Sequence, residues 1–179
     1  MDKGERRVET HSNELAAIFG VAALFSIMVT DHESLQMSQE YSCHEGCTPT
    51  LPDRMTPSQV TVLEDGEVFV FGSNIQGLHM GGAARIAYEK FGAVWGIGEG
   101  LQGRSYAIPT MEGLENIVPA VDRFASFAEQ RPELKFYVTA IGCGIAGYRP
   151  EQIAPMFQKA ACLPNVYLPL SFWEVICEF

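Results

Sequence analysis

The chain of 179 residues has room for one domain with an appendage, but not for two full domains. It is 47% hydrophobic and 19% charged, which excludes a disordered acidic tail or a fibrous repeat, and its net charge of −10 argues against binding to a nucleic-acid backbone. Its five cysteines are an odd number spread from Cys43 to Cys177, unlike a secreted disulfide framework, so the expected setting is a reducing cytoplasm.

Residues 1–54 read as an N-terminal extension. A charged opening leads to an apolar run from Leu15 to Val29, followed by a polar stretch ending TPTLPDR. As a signal peptide the run is poorly flanked, with Asp2, Glu5, Glu9 and Glu14 beside Lys3, Arg6 and Arg7 before it and Asp31-His32-Glu33 after it, and no small-residue cleavage pattern. As a membrane span it is short, because fifteen residues at ~1.5 Å each cover only ~22 Å of a ~30 Å hydrocarbon core. An apolar helix without a polar stripe must be covered by the domain, by another copy of the chain or by lipid; a protein cover is expected, whether burial on the domain or self-association through Leu15 to Val29, and a membrane is not. Cys43, His44 and Cys47 have metal-ligand chemistry but no second pair at usual spacing, so no metal site is expected.

Residues 55–179 alternate short β-rich runs with helical patterns, the signature of an α/β layered domain. Strands are expected at 67–72, 105–108, 135–141 and 165–168. Helices are expected at 82–91, at 114–130 with Pro119 in its early turns, and at 150–161. Pro150 suits a first helical turn, and Glu151 complements the helix dipole there.

The strand EVFVF runs straight into Gly72-Ser73-Asn74-Ile75-Gln76-Gly77-Leu78-His79-Met80-Gly81-Gly82 and then into AARIAYEKF. A strand, a glycine-rich loop and a helix N-terminus together favour an anion, because backbone N–H groups can close on phosphate along the helix dipole. A second such loop, Gly142-Cys143-Gly144-Ile145-Ala146-Gly147-Tyr148, follows the strand KFYVTAI. Two loops at the carboxyl ends of two strands suit a diphosphate at a sheet edge. A third glycine loop, 96–103, adds Glu99 and Gln102. Gly142 to Gly147 also spells G-x-G-x-x-G, but Pro150 delays the helix and no acidic residue follows on the next strand, so a Rossmann site is excluded. No G-K-[ST] follows any of the loops, which removes the P-loop NTPases.

Phe71-Gly72-Ser73-Asn74, Gly81-Gly82-Ala83-Ala84 and the turn from Ile141 to Tyr148 resemble, in order and spacing, the phosphate loops of the macro domains, the ADP-ribose-binding superfamily, and in particular a small branch found in bacteria and phages. The resemblance covers roughly residues 56–173 and implies a three-layer α/β/α domain with a mixed sheet. It further implies an ADP-ribose-like nucleotide, or an ADP-ribosylated molecule, as partner, with no cofactor. The implied ligand-binding residues are Gly72, Ser73, Asn74, Gly81, Gly82, Ala83, Gly142, Cys143, Gly144, Ile145, Ala146, Gly147 and Tyr148. Asn74 would bond a ribose, and the Tyr148 ring would face the ligand. The chain departs from the family in lacking a first-strand Asp for adenine, for which Glu64 or Asp65 would have to substitute, and in lacking paired glutamates.

Three functions remain open at this point. The first is binding of ADP-ribose or a related nucleotide diphosphate. The second is ADP-ribosyl hydrolysis by a water held between Asn74 and the phosphates, with His79 or Glu99 as base. The third is an interaction protein with a vestigial pocket. Cys143 has no neighbouring cation in the sequence to lower its pKa and is not expected to act as a nucleophile.

Overall fold

The structure, a computed structural model, describes residues 52–177. The extension before residue 52, with the apolar run from Leu15 to Val29 and the Cys43-His44-x-x-Cys47 cluster, lies outside the described residues.

The chain folds as β1 (Glu67–Ser73), α1 (Gly82–Lys90), β2 (Gly100–Gln102), β3 (Ser105–Pro109), α2 (Leu114–Glu129), β4 (Lys135–Val138), α3 (Pro150–Ile153), α4 (Gln158–Ala161), β5 (Val166–Tyr167) and α5 (Leu170–Ile176). The fold is mixed α/β. Its five strands form one mixed sheet in the order β2-β3-β1-β4-β5, in which β2 is antiparallel to β3 and every other pair is parallel. β1 pairs with β3 through Phe69↔Ser105 and with β4 through Phe69↔Tyr137, so it is flanked on both sides. A strand in that position is also covered on both faces, which is why it reads VFVF rather than alternating apolar with polar. Val68 and Val70 join one apolar cluster, and Phe69 and Phe71 join another.

The larger cluster takes its helical share mainly from α2. Ile117, Ala120, Val121, Phe124, Ala125 and Ala128 recur at helical spacing and are buried. The smaller cluster packs Ala84 and Ala87 of α1 against Phe69, Phe71 and Ala107.

Several elements differ from the sequence reading. The helix expected over 150–161 is broken at Ala154–Phe157 into a 3₁₀ turn containing Pro155, whose missing N–H cannot continue an α-helical ladder. β4 ends at Val138, three residues early, because Thr139 turns its amide and its hydroxyl back onto the Val70 carbonyl and Ile141 closes on Thr139. β2 and α5 were not anticipated. Arg54, assigned by composition to the extension, is part of the packed unit. Its guanidinium donates to the carbonyls of Leu163, Val166 (2.8 Å) and Ala161 (3.0 Å), and lies over the Trp173 ring. Among the described residues no helix is long and apolar enough to cross a membrane.

Candidate functional site

Because β1, β3 and β4 are parallel, their carboxyl ends meet at one edge of the sheet, the edge where open α/β sheets bind ligands. A cleft of about 330 Å³ opens there. Its floor is Gly72, Ser73 and Asn74 after β1, Thr110 and Met111 after β3, and Thr139, Ala140 and Ile141 after β4. One wall is Gly81, Gly82, Ala83 and Ala84 at the start of α1, and the other is Gly142, Gly144, Ile145 and Ala146. The two glycine loops expected to cooperate therefore face each other across one cavity. A larger chamber of about 1040 Å³ adjoins it, sharing Gly82, Ala83, Thr139 and Ala140 and continuing past Thr56, Gln59, Ile86, Lys90 and Leu170.

Both walls offer backbone donors. The first N–H groups of a helix have no intrahelical partner, and α1 has no side-chain cap. In the second loop, Cys143, Gly147 and Tyr148 donate to Ala140, Gly144 and Gly142 (3.1, 3.0 and 3.0 Å), closing the turn. The amides of Gly144, Ile145 and Ala146 donate to no protein group among the described residues. No acidic, basic, thiol or phenol side chain, and no imidazole, lines the smaller cleft among the described residues. Its rim is apolar: Met80 is 73% and Ile145 76% exposed, with Leu78 and Met111 beside them.

Asn74 lies in the floor, and its side-chain amide is already engaged. Nδ2 donates to the Leu78 carbonyl and Oδ1 accepts from the Leu78 amide, both at 3.0 Å, so the residue clamps the loop that it begins. One N–H and one lone pair remain for a ligand.

The other sequence candidates fall outside the cleft lining. Glu99 takes both arms of the Arg123 guanidinium, at 2.5 and 3.0 Å, on the outer side of α2, and so cannot serve as base in the cleft. His79 is buried behind Ser73, not exposed on the loop. Cys143 donates to the Ile141 carbonyl, and burial, helped by the Glu151 carboxylate, pushes its thiol pKa up, opposite to the direction a nucleophile needs. Gly147 closes the second loop from outside the lining, and Tyr148 packs on the larger core cluster instead of facing the cleft. Glu64 and Asp65 line neither cavity.

The third glycine loop has a different purpose. A Cβ on Gly98 would collide with the carbonyl oxygens of Asn74 and Ile75, and one on Gly77 with the backbone of Gly96 and Ile97. The first and third loops are thus interlocked back to back, with the Gly96 amide donating to the Gly77 carbonyl at 3.0 Å, and Gln102 braces the third loop by accepting from the Val94 amide and donating to the Ile97 carbonyl. Thr110, Met111, Thr139 and Ala140 were missed, since small neutral residues after a strand carry no signal until strand order brings them to one edge. Compared with models of known families, with curated protein sequences and with solved structures, the chain matches none of them.

Proposed function

We propose that the domain is a macro-like, three-layer α/β/α module whose cleft binds ADP-ribose or a related nucleotide diphosphate. One observation carries this reading: two sets of unpaired backbone amides, at the start of α1 and at Gly144 to Ala146, face each other across a cleft with no charged side chain among the described residues. A diphosphate has two anionic groups to place, and each set of amides offers neutral dipoles of the right sign. The adjoining chamber would take the nucleoside. Its apolar walls, Ile86 and Leu170, would cover a flat base, and Thr56, Gln59 and Ser171 supply hydrogen-bonding groups. The layering is supported by apolar clusters built from alternate residues of β1. Binding is favoured over ADP-ribosyl hydrolysis because, among the described residues, no carboxylate lines the cleft to activate a water between Asn74 and the phosphates.

The test compares ADP-ribose, NAD and AMP by calorimetric titration and thermal shift of the full chain. A ligand at ~100 times its dissociation constant adds ~2.7 kcal/mol of stability. Gly144 has open space where a side chain would project. Gly144→Glu should therefore keep the melting temperature while abolishing ADP-ribose binding, because its carboxylate would occupy the phosphate position. A Gly144→Glu chain that binds like the parent would overturn the loop assignment.

A further inference from the structure

Under the cleft floor, the last residue of β1 meets a buried imidazole. Ser73, 4% exposed, lies in the cleft lining, and its Oγ is 3.5 Å from Nδ1 of His79, which is itself 1% exposed. The other ring nitrogen, Nε2, lies 3.0 Å from the Val94 carbonyl oxygen. A carbonyl only accepts, so in the neutral ring this contact assigns the proton to Nε2 and turns the Nδ1 lone pair toward the serine hydroxyl. The ring is held in that pose by Phe71, edge-on at 5.3 Å, and by Tyr88 and Trp95, each at 6.4 Å. A hydroxyl, an accepting imidazole and a third group that fixes the imidazole make up the arrangement that activates a serine, here with a carbonyl in the orienting position. At rest the Ser73 hydroxyl also has the Asn74 carbonyl as an acceptor at 3.2 Å, so its proton must turn from there to the imidazole, 3.5 Å away, for the reaction.

We propose that Ser73 is a nucleophile served by His79 as general base, and that the cleft accepts acyl groups from small carboxylic esters. In the first step Ser73 Oγ bonds to the ester carbonyl carbon as its proton passes to His79 Nδ1; the carbon–oxygen bond to the alcohol then breaks and that proton passes on to the departing oxygen, releasing the alcohol and leaving an acyl-serine beside a neutral His79. Water then attacks the acyl carbon and its proton takes the same route, which returns the hydroxyl and releases the acid. The negative oxygen formed in each step falls to the unpaired amides at the start of α1, which line the same cleft. This activity goes beyond nucleotide binding and does not depend on it, since a small ester needs only the floor of the cleft.

The experiment treats the full chain with p-nitrophenyl acetate, follows release of p-nitrophenolate and maps the acetyl group by peptide mass analysis. The expected result is a burst with acetyl on Ser73, abolished in Ser73→Ala and slowed about 100-fold or more in His79→Ala. Added imidazole should restore part of the His79→Ala rate, which a purely structural role would not allow. Acetyl found only on other residues, a Ser73→Ala chain that reacts like the parent, or a folded His79→Ala chain as fast as the parent would overturn the proposal. If His79→Ala fails to fold, the mapped position in the parent and the Ser73→Ala comparison decide alone.

Discussion

The Asn74 amide holds the loop that it opens, and that changes what its loss should do. Removing it leaves the Leu78 amide without its acceptor and takes one of two donors from the Leu78 carbonyl, which keeps the Met80 amide at 3.0 Å. Asn74→Ala should cost about 1–2 kcal/mol and several degrees of melting temperature. Affinity for ADP-ribose should fall as well, because the clamp shapes the floor and because one donor and one acceptor of the amide are left for the ligand. Melts and titrations of the same preparations check both. A lower melting temperature with full affinity would leave only the clamp. A second residue-scale effect belongs to Tyr106, whose phenol is raised to about 12 by burial and by the Glu99 carboxylate, against an opposing pull from Arg123. The folded chain therefore keeps this phenol neutral where the unfolded chain, with an ordinary value of 10.0, ionises it. Its stabilising contribution is complete below about pH 10 and is lost as the pH rises through about 12. Denaturant melts across that window should show a smaller alkaline loss for Tyr106→Phe than for the parent.

At the scale of elements, the site depends on a loop pair more than on any strand. Gly98→Ala has no room under the Asn74 and Ile75 carbonyls. It should destabilise by about 2–3 kcal/mol or more and weaken ligand binding from outside the cleft, as melting and titration together would show. Gly144→Ala, projecting into open space, should leave the melting temperature unchanged. The same contrast explains what was legible beforehand. β1, β3, α1 and α2 follow apolar patterns strong enough to place their ends within a residue or so, and the two loops that flank the cleft were recognisable from strand, glycines and helix in succession. The third loop carries the same glycines for a different physical reason, close backbone approach, and composition cannot separate that from room for a ligand. β2 has only Gly100–Gln102 and is held by its pairing with β3, so its own sequence has no period to read. Arg54 looks like the end of a polar stretch until the carbonyls it gathers at Ala161, Leu163 and Val166 are in place. For that reason a chain trimmed to begin at Met55 would lose part of the domain.

Over the whole molecule, the charge and the cleft act against each other in a way that can be measured. The chain carries −10. On the proposed function, an anionic ligand would approach through a repulsive field and be held at the end by neutral amide dipoles; among the described residues the smaller cleft has no Lys or Arg, and Lys90 lines only the adjoining chamber. Raising the salt from ~0.01 M to ~0.1 M shortens the screening length from ~30 Å to ~10 Å, which removes most of the long-range repulsion and little of the short-range contact with the amides. The association rate of ADP-ribose should therefore rise with salt while the dissociation rate stays nearly constant, so that affinity improves or holds. A site built on guanidinium or ammonium groups behaves in the opposite sense, because salt screens the attraction that recruits its ligand. Stopped-flow binding at the two salt concentrations distinguishes them. An affinity that falls steeply with salt would mean that cations, and not the backbone of the two glycine loops, hold the phosphates.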